Sequence, residues 1–196
     1  MLRRSLLTSA IAASLLTTFS LPAFATQVYE TDLVIIGGGL SGLAAAQSAV
    51  DQGAKPIVLE KEAALGGGGN FPEGSLGVGT RYQKEHNINT TVDQVLTAAL
   101  QYHHYRADPH VLRVLIEESG KTIDWVMDKG AQMRGIRTMY PKDESLMTWH
   151  LFKGGAAGII QRFAKEVRAK GGTILTETPA KKLIVENGKV VGVEAV

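Results

Sequence analysis

Apolar residues in this chain fall into short dense blocks and longer spaced ones, and the two kinds alternate. Residues 31–36, TDLVII, are β-branched and bounded by glycine, the pattern of a buried parallel strand. Residues 40–52, LSGLAAAQSAVDQ, carry helical spacing, and Gly53 stands where a C-terminal cap belongs. PIVLE at 56–60 is a second short apolar strand. Strand, helix and strand within about 30 residues make one βαβ unit.

The pattern then changes. Residues 62–80 are glycine-rich and irregular. Thr91 and Gln94 have capping-box spacing ahead of VDQVLTAALQYHHY, and Asp108-Pro109 reads as an N-cap followed by a proline in the first helical position. Two helical stretches follow, VLRVLIEES and KTIDWVMDK, the second stopped by Gly130. Leu112, Leu115 and Ile116, then Ile123, Val126 and Met127, have the spacing of core positions. Residues 131–153 follow neither period. Residues 156–170 form an amphipathic helix with Ile159, Ile160, Phe163 and Val167 on one face. TILTET is a strand, and KKLIVENGKVVGVEAV is a hairpin turned by Asn187-Gly188. The expected fold is α/β: a Rossmann-like βαβ unit with its glycine loop (26–80), a helical insertion (81–150) and an incomplete continuation with a β-hairpin (151–196).

The first 25 residues stand apart. MLRR is basic, SLLTSAIAASLLTTFSL is mildly apolar, and Ala23 to Ala25 fits a small-residue cleavage site, so this segment reads as a secretory signal peptide. It implies an exported, periplasmic protein with no membrane span after signal removal. Arg3-Arg4 fits a twin-arginine signal as well as a general secretory one. Its removal changes the charge picture. The whole chain carries 21 basic and 19 acidic residues, and the segment takes away two arginines and no acid. The remainder is neutral, which excludes a polybasic surface for nucleic acid. The chain has no cysteine, so disulfides, cysteine nucleophiles and cysteine-held metal clusters are excluded. His103-His104 lacks a partner at metal-ligand spacing, and no metal site is expected.

The candidate chemistry lies in the first turn. Gly37, Gly39 and Gly42, with Leu40 and Ser41 between them, have G-x-G-x-x-G spacing after a strand and at the start of a helix. Gly37 permits the turn, Gly39 lets backbone approach a pyrophosphate, and Gly42 lets helix and strand pack closely. The helix N-terminus offers N–H groups and a positive dipole end to phosphates. Glu60 ends the second strand, where a carboxylate accepts hydrogen bonds from ribose hydroxyls. NAD and FAD both satisfy this geometry. The glycine run at 66–69 favours the longer cofactor, because it lets further backbone N–H groups crowd a second face.

Four blocks then resemble the fumarate reductase and succinate dehydrogenase flavoprotein superfamily, in its soluble fumarate reductase and flavocytochrome c form. They are DLVIIGGGLSGLAAAQSAVDQGAKPIVLEK, LGGGGNFPEG, DPHVLRVLIEESGKTIDWVMDKGAQM and the stretch from HLFKGG to the last residue. The resemblance implies FAD, with Gly37, Gly39, Ser41 and Gly42 at the pyrophosphate and Glu60 and Lys61 on the adenosine ribose side. It puts the backbone of Gly66, Gly67 and Asn70 near pyrophosphate and flavin, that of Ala180 at the adenine, and the Gly154-Gly155-Ala156 turn beside flavin and substrate. The histidine that carries covalent FAD in the respiratory complexes has no counterpart in GGGGNFPEG, which implies noncovalent FAD. The implied activity is hydride transfer between flavin and an activated C=C or CH–CH bond of a small carboxylic acid, with an electron-donor protein as partner. The arginine proton donor and most dicarboxylate ligands of such enzymes lie in parts without a counterpart here. A 3-ketosteroid dehydrogenase-like flavoenzyme, a noncatalytic FAD-binding fragment and an NAD-binding Rossmann domain are the alternatives. His150, four residues before Gly154, fits a substrate-side residue and a buried structural one equally.

Overall fold

The computed structural model describes residues 27–139 and 146–196. The expected signal peptide lies outside them. The body begins with β1 (Val34–Ile36), α1 (Leu40–Asp51) and β2 (Ile57–Leu59). Helix α1 buries Leu43, Ala46, Gln47, Ala49 and Val50, and its alanines hold it close to the sheet. It closes at Gln52, and Gly53 takes the positive φ of 85° that a chain reversal there requires.

A 3₁₀ turn (Gly67–Asn70) leads to β3 (Gly74–Leu76) and α2 (Arg81–Glu85). Next come α3 (Val92–Tyr102) and α4 (Pro109–Asp128). The sequence-expected caps form: Thr91 and Gln94 make a capping box, and the Asp108 carboxylate accepts from the N–H groups of His110 and Val111. A further box joins Thr80 and Gln83 at α2.

The two expected helices of 111–129 are one helix of 20 residues, continuous through Gly120. A glycine inside a helix ordinarily weakens it. Here it permits a contact, because a Cβ at Gly120 would overlap the Val78 carbonyl oxygen. The Val78 N–H donates to Ser119 Oγ at 3.0 Å in the same place. The buried stripe of α4 runs through Ile116, Ser119, Gly120, Ile123 and Val126. Leu115, expected in the core, is 57% exposed, because the stripe faces one position further round.

Residues 131–153, patternless in the sequence, contain β4 (Met133–Thr138) and β5 (Met147–Phe152). With β3 they form an antiparallel sheet in the order β3-β5-β4. The expected helical insertion therefore contains strands. They escape pattern reading because β5 turns Thr148 and His150 inward and leaves Trp149 and Leu151 half-buried, reversing the usual alternation.

Helix α5 (Gly155–Ala169) buries Ala156, Ile159, Ile160, Phe163, Ala164 and Val167, the expected face with two alanines added. Strand β6 (Thr173–Leu175) then joins β2, giving a parallel sheet in the order β1-β2-β6. Ala46, Val50, Val58 and Val167 pack α1 and α5 on that sheet. β7 (Ala180–Glu186) and β8 (Lys189–Ala195) form the hairpin, with positive φ at Asn187 (50°) and Gly188 (76°) as a type I′ turn demands.

Asp51 ties three helix ends together. Its carboxylate lies 2.6 Å from Lys129 Nζ, just past α4, and 2.7 Å from Lys170 Nζ, just past α5. Those lysine bonds hold its pKa down to about 2, from an ordinary 3.8. Its contribution is complete above the ordinary value and disappears as the pH falls toward 2.

Two predictions follow from the packing. Gly120→Ala, which stabilises an ordinary exposed helix by about 1 kcal/mol, is expected to destabilise this chain by about 1–3 kcal/mol in thermal melting. Asp51→Asn is expected to cost about 1 kcal/mol of urea stability at neutral pH, once solvent screening is allowed for. That difference should shrink as the pH falls below 3.8.

Candidate cofactor-binding site

The site grows from the ends of β1 and β2. Gly37 turns the chain with φ 105° and donates its N–H to the Leu59 carbonyl at 2.7 Å. Gly38 donates to the Glu60 carboxylate (Oε2) at 2.6 Å. Its own carbonyl accepts from Gly66 N–H at 2.9 Å, which joins the first turn to the glycine run. A Cβ at Gly42 would overlap the Gly37 carbonyl oxygen, so only glycine lets α1 start this close to β1.

The first bond of α1's own ladder runs from Leu43 N–H to the Gly39 carbonyl at 2.9 Å. The N–H groups of Ser41 and Gly42 precede it, at the positive end of the helix dipole. Gly69 presses the glycine run against the helices: a Cβ there would stand 3.0 Å from Leu40 Cβ and 3.3 Å from Ile160 Cδ1. Gly37, Gly67 and Gly68 face open space, with nothing within 4 Å of a built Cβ.

Between these walls lies a groove of about 690 Å³. It is lined by Ile36, Gly37, Gly39, Leu40, Ser41, Gly42, Glu60, Lys61, Glu62 and the run Gly66 to Gly69. Most of these stand out in the sequence by type and spacing; Ile36 and Glu62 do not, their only signal being that each adjoins such a residue. The volume suits a small-molecule or cofactor site. A bare backbone wall, a helix N-terminus and a carboxylate together suit a dinucleotide.

Glu60 is 8% exposed and holds more than the sequence suggests. Besides Gly38, its carboxylate accepts from Glu62 N–H at 2.9 Å. The Glu62 bond, with help from Gly38 and Lys61, holds its pKa below the ordinary 4.5, against the opposing effect of burial. Each oxygen keeps a further lone pair for a ribose hydroxyl. The Glu60 backbone is also bound on both sides: its N–H donates to Leu175 at 2.8 Å and its carbonyl accepts from Thr178 at 2.8 Å. Glu177 N–H donates to the Glu62 carbonyl at 3.1 Å. The β6–β7 connection is thereby stitched to the end of β2.

The other named residues lie outside the groove lining. Ala180 opens β7, two residues past the Thr178 bond. Asn70 is exposed, and its side chain donates to the Leu65 carbonyl at 2.9 Å. Gly155 sits against the loop rather than the groove: its place for a Cβ is 3.0 Å from the Pro72 carbonyl oxygen. His150 is fully buried in the antiparallel sheet, with Thr80 Oγ1 at 2.9 Å and the Thr148 carbonyl at 3.0 Å on its two ring nitrogens. Its ring exposes no atom to solvent. Among the described residues no cluster of His, Asp or Glu suits a metal, and no helix is long and apolar enough to cross a membrane.

Fold and groove together define a Rossmann-like dinucleotide-binding domain. Residues 32–196 match the family described as FAD binding domain, and the chain belongs to that family. FAD is therefore its cofactor. A vinyl phenol reductase of Lactiplantibacillus plantarum is 34% identical over 164 residues, covering 83% of this chain and 33% of that protein. An NADH:fumarate oxidoreductase of Klebsiella pneumoniae is 28% identical over 177 residues, covering 84% of this chain and 18% of that protein. The chain thus spans a third or less of the length of these relatives. A flavocytochrome c3 fumarate reductase in its open conformation shares the fold, with a TM-score of 0.70 and 22% identity over 84% of this chain and 30% of that one.

Glu60→Gln tests the carboxylate. It keeps the size and removes the charge that two backbone N–H groups bind. It is expected to destabilise the chain by about 1–3 kcal/mol at neutral pH. A lowered carboxylate pKa stabilises above the ordinary value and stops doing so as the pH falls. The melting temperatures of wild type and variant should therefore converge below pH 4.5.

Proposed function

We propose that this chain is the FAD-binding portion of an exported flavin-dependent oxidoreductase that reduces an activated C=C bond, as in a small unsaturated carboxylic acid. The observation that carries the reading is the groove: a glycine turn and a glycine run, bonded to each other and closed at one end by buried Glu60. The names of the two relatives, one for vinyl phenol and one for fumarate, support a substrate with a conjugated double bond. Export to the periplasm rests on the sequence of residues 1–25.

In this reading Gly37, Gly39, Ser41 and Gly42 hold the pyrophosphate, Glu60 the adenosine ribose, and Gly66 to Gly68 the side nearer the flavin. Bound FAD supplies the hydride chemistry. The residues of this chain fix where that chemistry happens: the helix N-terminus neutralises phosphate charge, and the bare glycine backbone admits the cofactor at van der Waals contact. Binding is noncovalent. The arginine proton donor and most of the dicarboxylate ligands of fumarate reductases have no counterpart among these residues, and in this reading electrons arrive from a donor protein.

Expression of residues 26–196 tests the reading. The protein is expected to leave gel filtration with the visible spectrum of bound flavin, and denaturation should release free FAD. Binding of NAD with no binding of FAD overturns it.

A further inference from the structure

His150 is the fully buried histidine of β5, and the cofactor groove does not use it. Its Nδ1 lies 3.0 Å from the Thr148 carbonyl, which can only accept, so Nδ1 carries the hydrogen. Nε2 is then the acceptor, and the Thr80 hydroxyl 2.9 Å away donates to it. That hydroxyl oxygen also accepts the Gln83 N–H at 3.0 Å. Gln83 Oε1 accepts the Thr80 N–H at 3.1 Å, and Gln83 Nε2 donates to the Met147 carbonyl at 2.7 Å. The ring, the capping box of α2 and the start of β5 form one closed circuit for the neutral imidazole.

The circuit grips the chain that leaves the glycine run. His150 pairs with Ser75 of β3, and the place for a Cβ at Gly77 is 2.8 Å from the ring and from Ile123 Cγ1. Upstream, Glu73 accepts from Phe152 N–H at 3.1 Å and Pro72 from Ala156 N–H at 2.9 Å. Residues 72–80 are thus stitched along β5 and the start of α5, and the glycine run is their direct continuation.

We propose that His150 is a positioning residue that fixes the cofactor loop through β3 and the α2 cap, and that its protonation releases the loop, so that the chain gives up its dinucleotide in acid. The proposal rests on the FAD reading for its ligand. A proton on Nε2 would face a hydroxyl that is itself donating. The hydroxyl hydrogen would have to turn to Gln83 Oε1 at 3.4 Å, too far for a good O–H···O bond and already taken by the Thr80 N–H. The new charge would also be buried.

Burial accordingly pushes the His150 pKa below its ordinary 6.5. Asp124 on α4 is the charge that opposes this, and it is already bound by Arg81 N–H at 3.0 Å. From α2 come Arg81, the Tyr82 ring edge-on at 6.1 Å, and His86 stacked on Tyr82. β4 sets Ile136 opposite, and β3 and β5 bring no charge among the described residues. With the folded value depressed, the His150 contribution is complete above 6.5 and disappears as the pH falls below it.

The test compares wild type, His150→Asn and His150→Phe by FAD titration and by amide hydrogen exchange between about pH 8 and 5, the range in which histidine titrates. Wild type is expected to lose FAD affinity by roughly tenfold across that range, an ordinary size for coupling between two sites. The protection of its amides from Val78 to Gln83, measured relative to the intrinsic exchange rate at each pH, should fall as the His150 ring titrates by NMR. Asparagine offers an NH₂ group that donates and a carbonyl oxygen that accepts, and it does not titrate. It should recover most of what phenylalanine loses and show no acid limb. An acid limb in His150→Asn equal to wild type overturns the proposal. So does loss of that protection in wild type at a pH where the ring does not titrate, a measurement that needs neither variant nor cofactor. If wild type binds no FAD at the upper pH, the FAD reading fails, and the exchange data still decide the role of His150.

Discussion

The ionised carboxylate of Glu60 is the point on which the site depends. It holds Gly38 in the first turn and Glu62 in the chain beyond β2, while its own peptide is bonded to β6 and to the segment before β7. Four stretches of chain meet at one residue. A buried carboxylate is costly unless its oxygens are hydrogen-bonded, and two backbone N–H groups meet that need. The glycine turn has few side chains of its own to define it, so its shape comes from this outside charge. Gly38 in turn hands the arrangement to Gly66, and the glycine run takes its place opposite α1.

The other end of the run is fixed by different means. There the contacts are made by missing side chains: Gly77 against His150, Gly120 against Val78, Gly155 against Pro72. Each allows backbone to reach a neighbour that any Cβ would displace. Hydrogen bonds donated by Phe152 and Ala156 and accepted by Ser119 then pin the strand. One end of the loop is thus set by charge and the other by close packing around a neutral ring.

Much of this was legible in the sequence where the cause is local. The βαβ spacing, the Thr91–Gln94 and Asp108–Pro109 caps, the apolar face of α5 and the Asn187-Gly188 turn each depend on residues a few positions apart. The antiparallel sheet was not legible, because β5 buries Thr148 and His150, and the ring's partner Thr80 is far away in sequence. The continuity of α4 was hidden for the same reason: Gly120 looks like a break until Val78 is known to lie against it. At the site, the glycines and Glu60 stood out by type and spacing. The use Glu60 makes of them did not, because its partners are backbone groups that carry no sequence signature.

The order of the parallel sheet has a consequence for how the chain is made. Val58 of β2 pairs with an isoleucine on each side, Ile35 before it and Ile174 more than a hundred residues after it. Until residues 173–175 leave the ribosome, one edge of β2 stays open, while the intervening helices and antiparallel strands can already close by shorter-range contacts. Such long-range parallel pairing is slow and leaves an apolar edge exposed during synthesis. The closure by β6, with the β6–β7 connection bonding to Glu60, is then also the step that completes the groove, so the cofactor site forms only once residues 173–178 have been made.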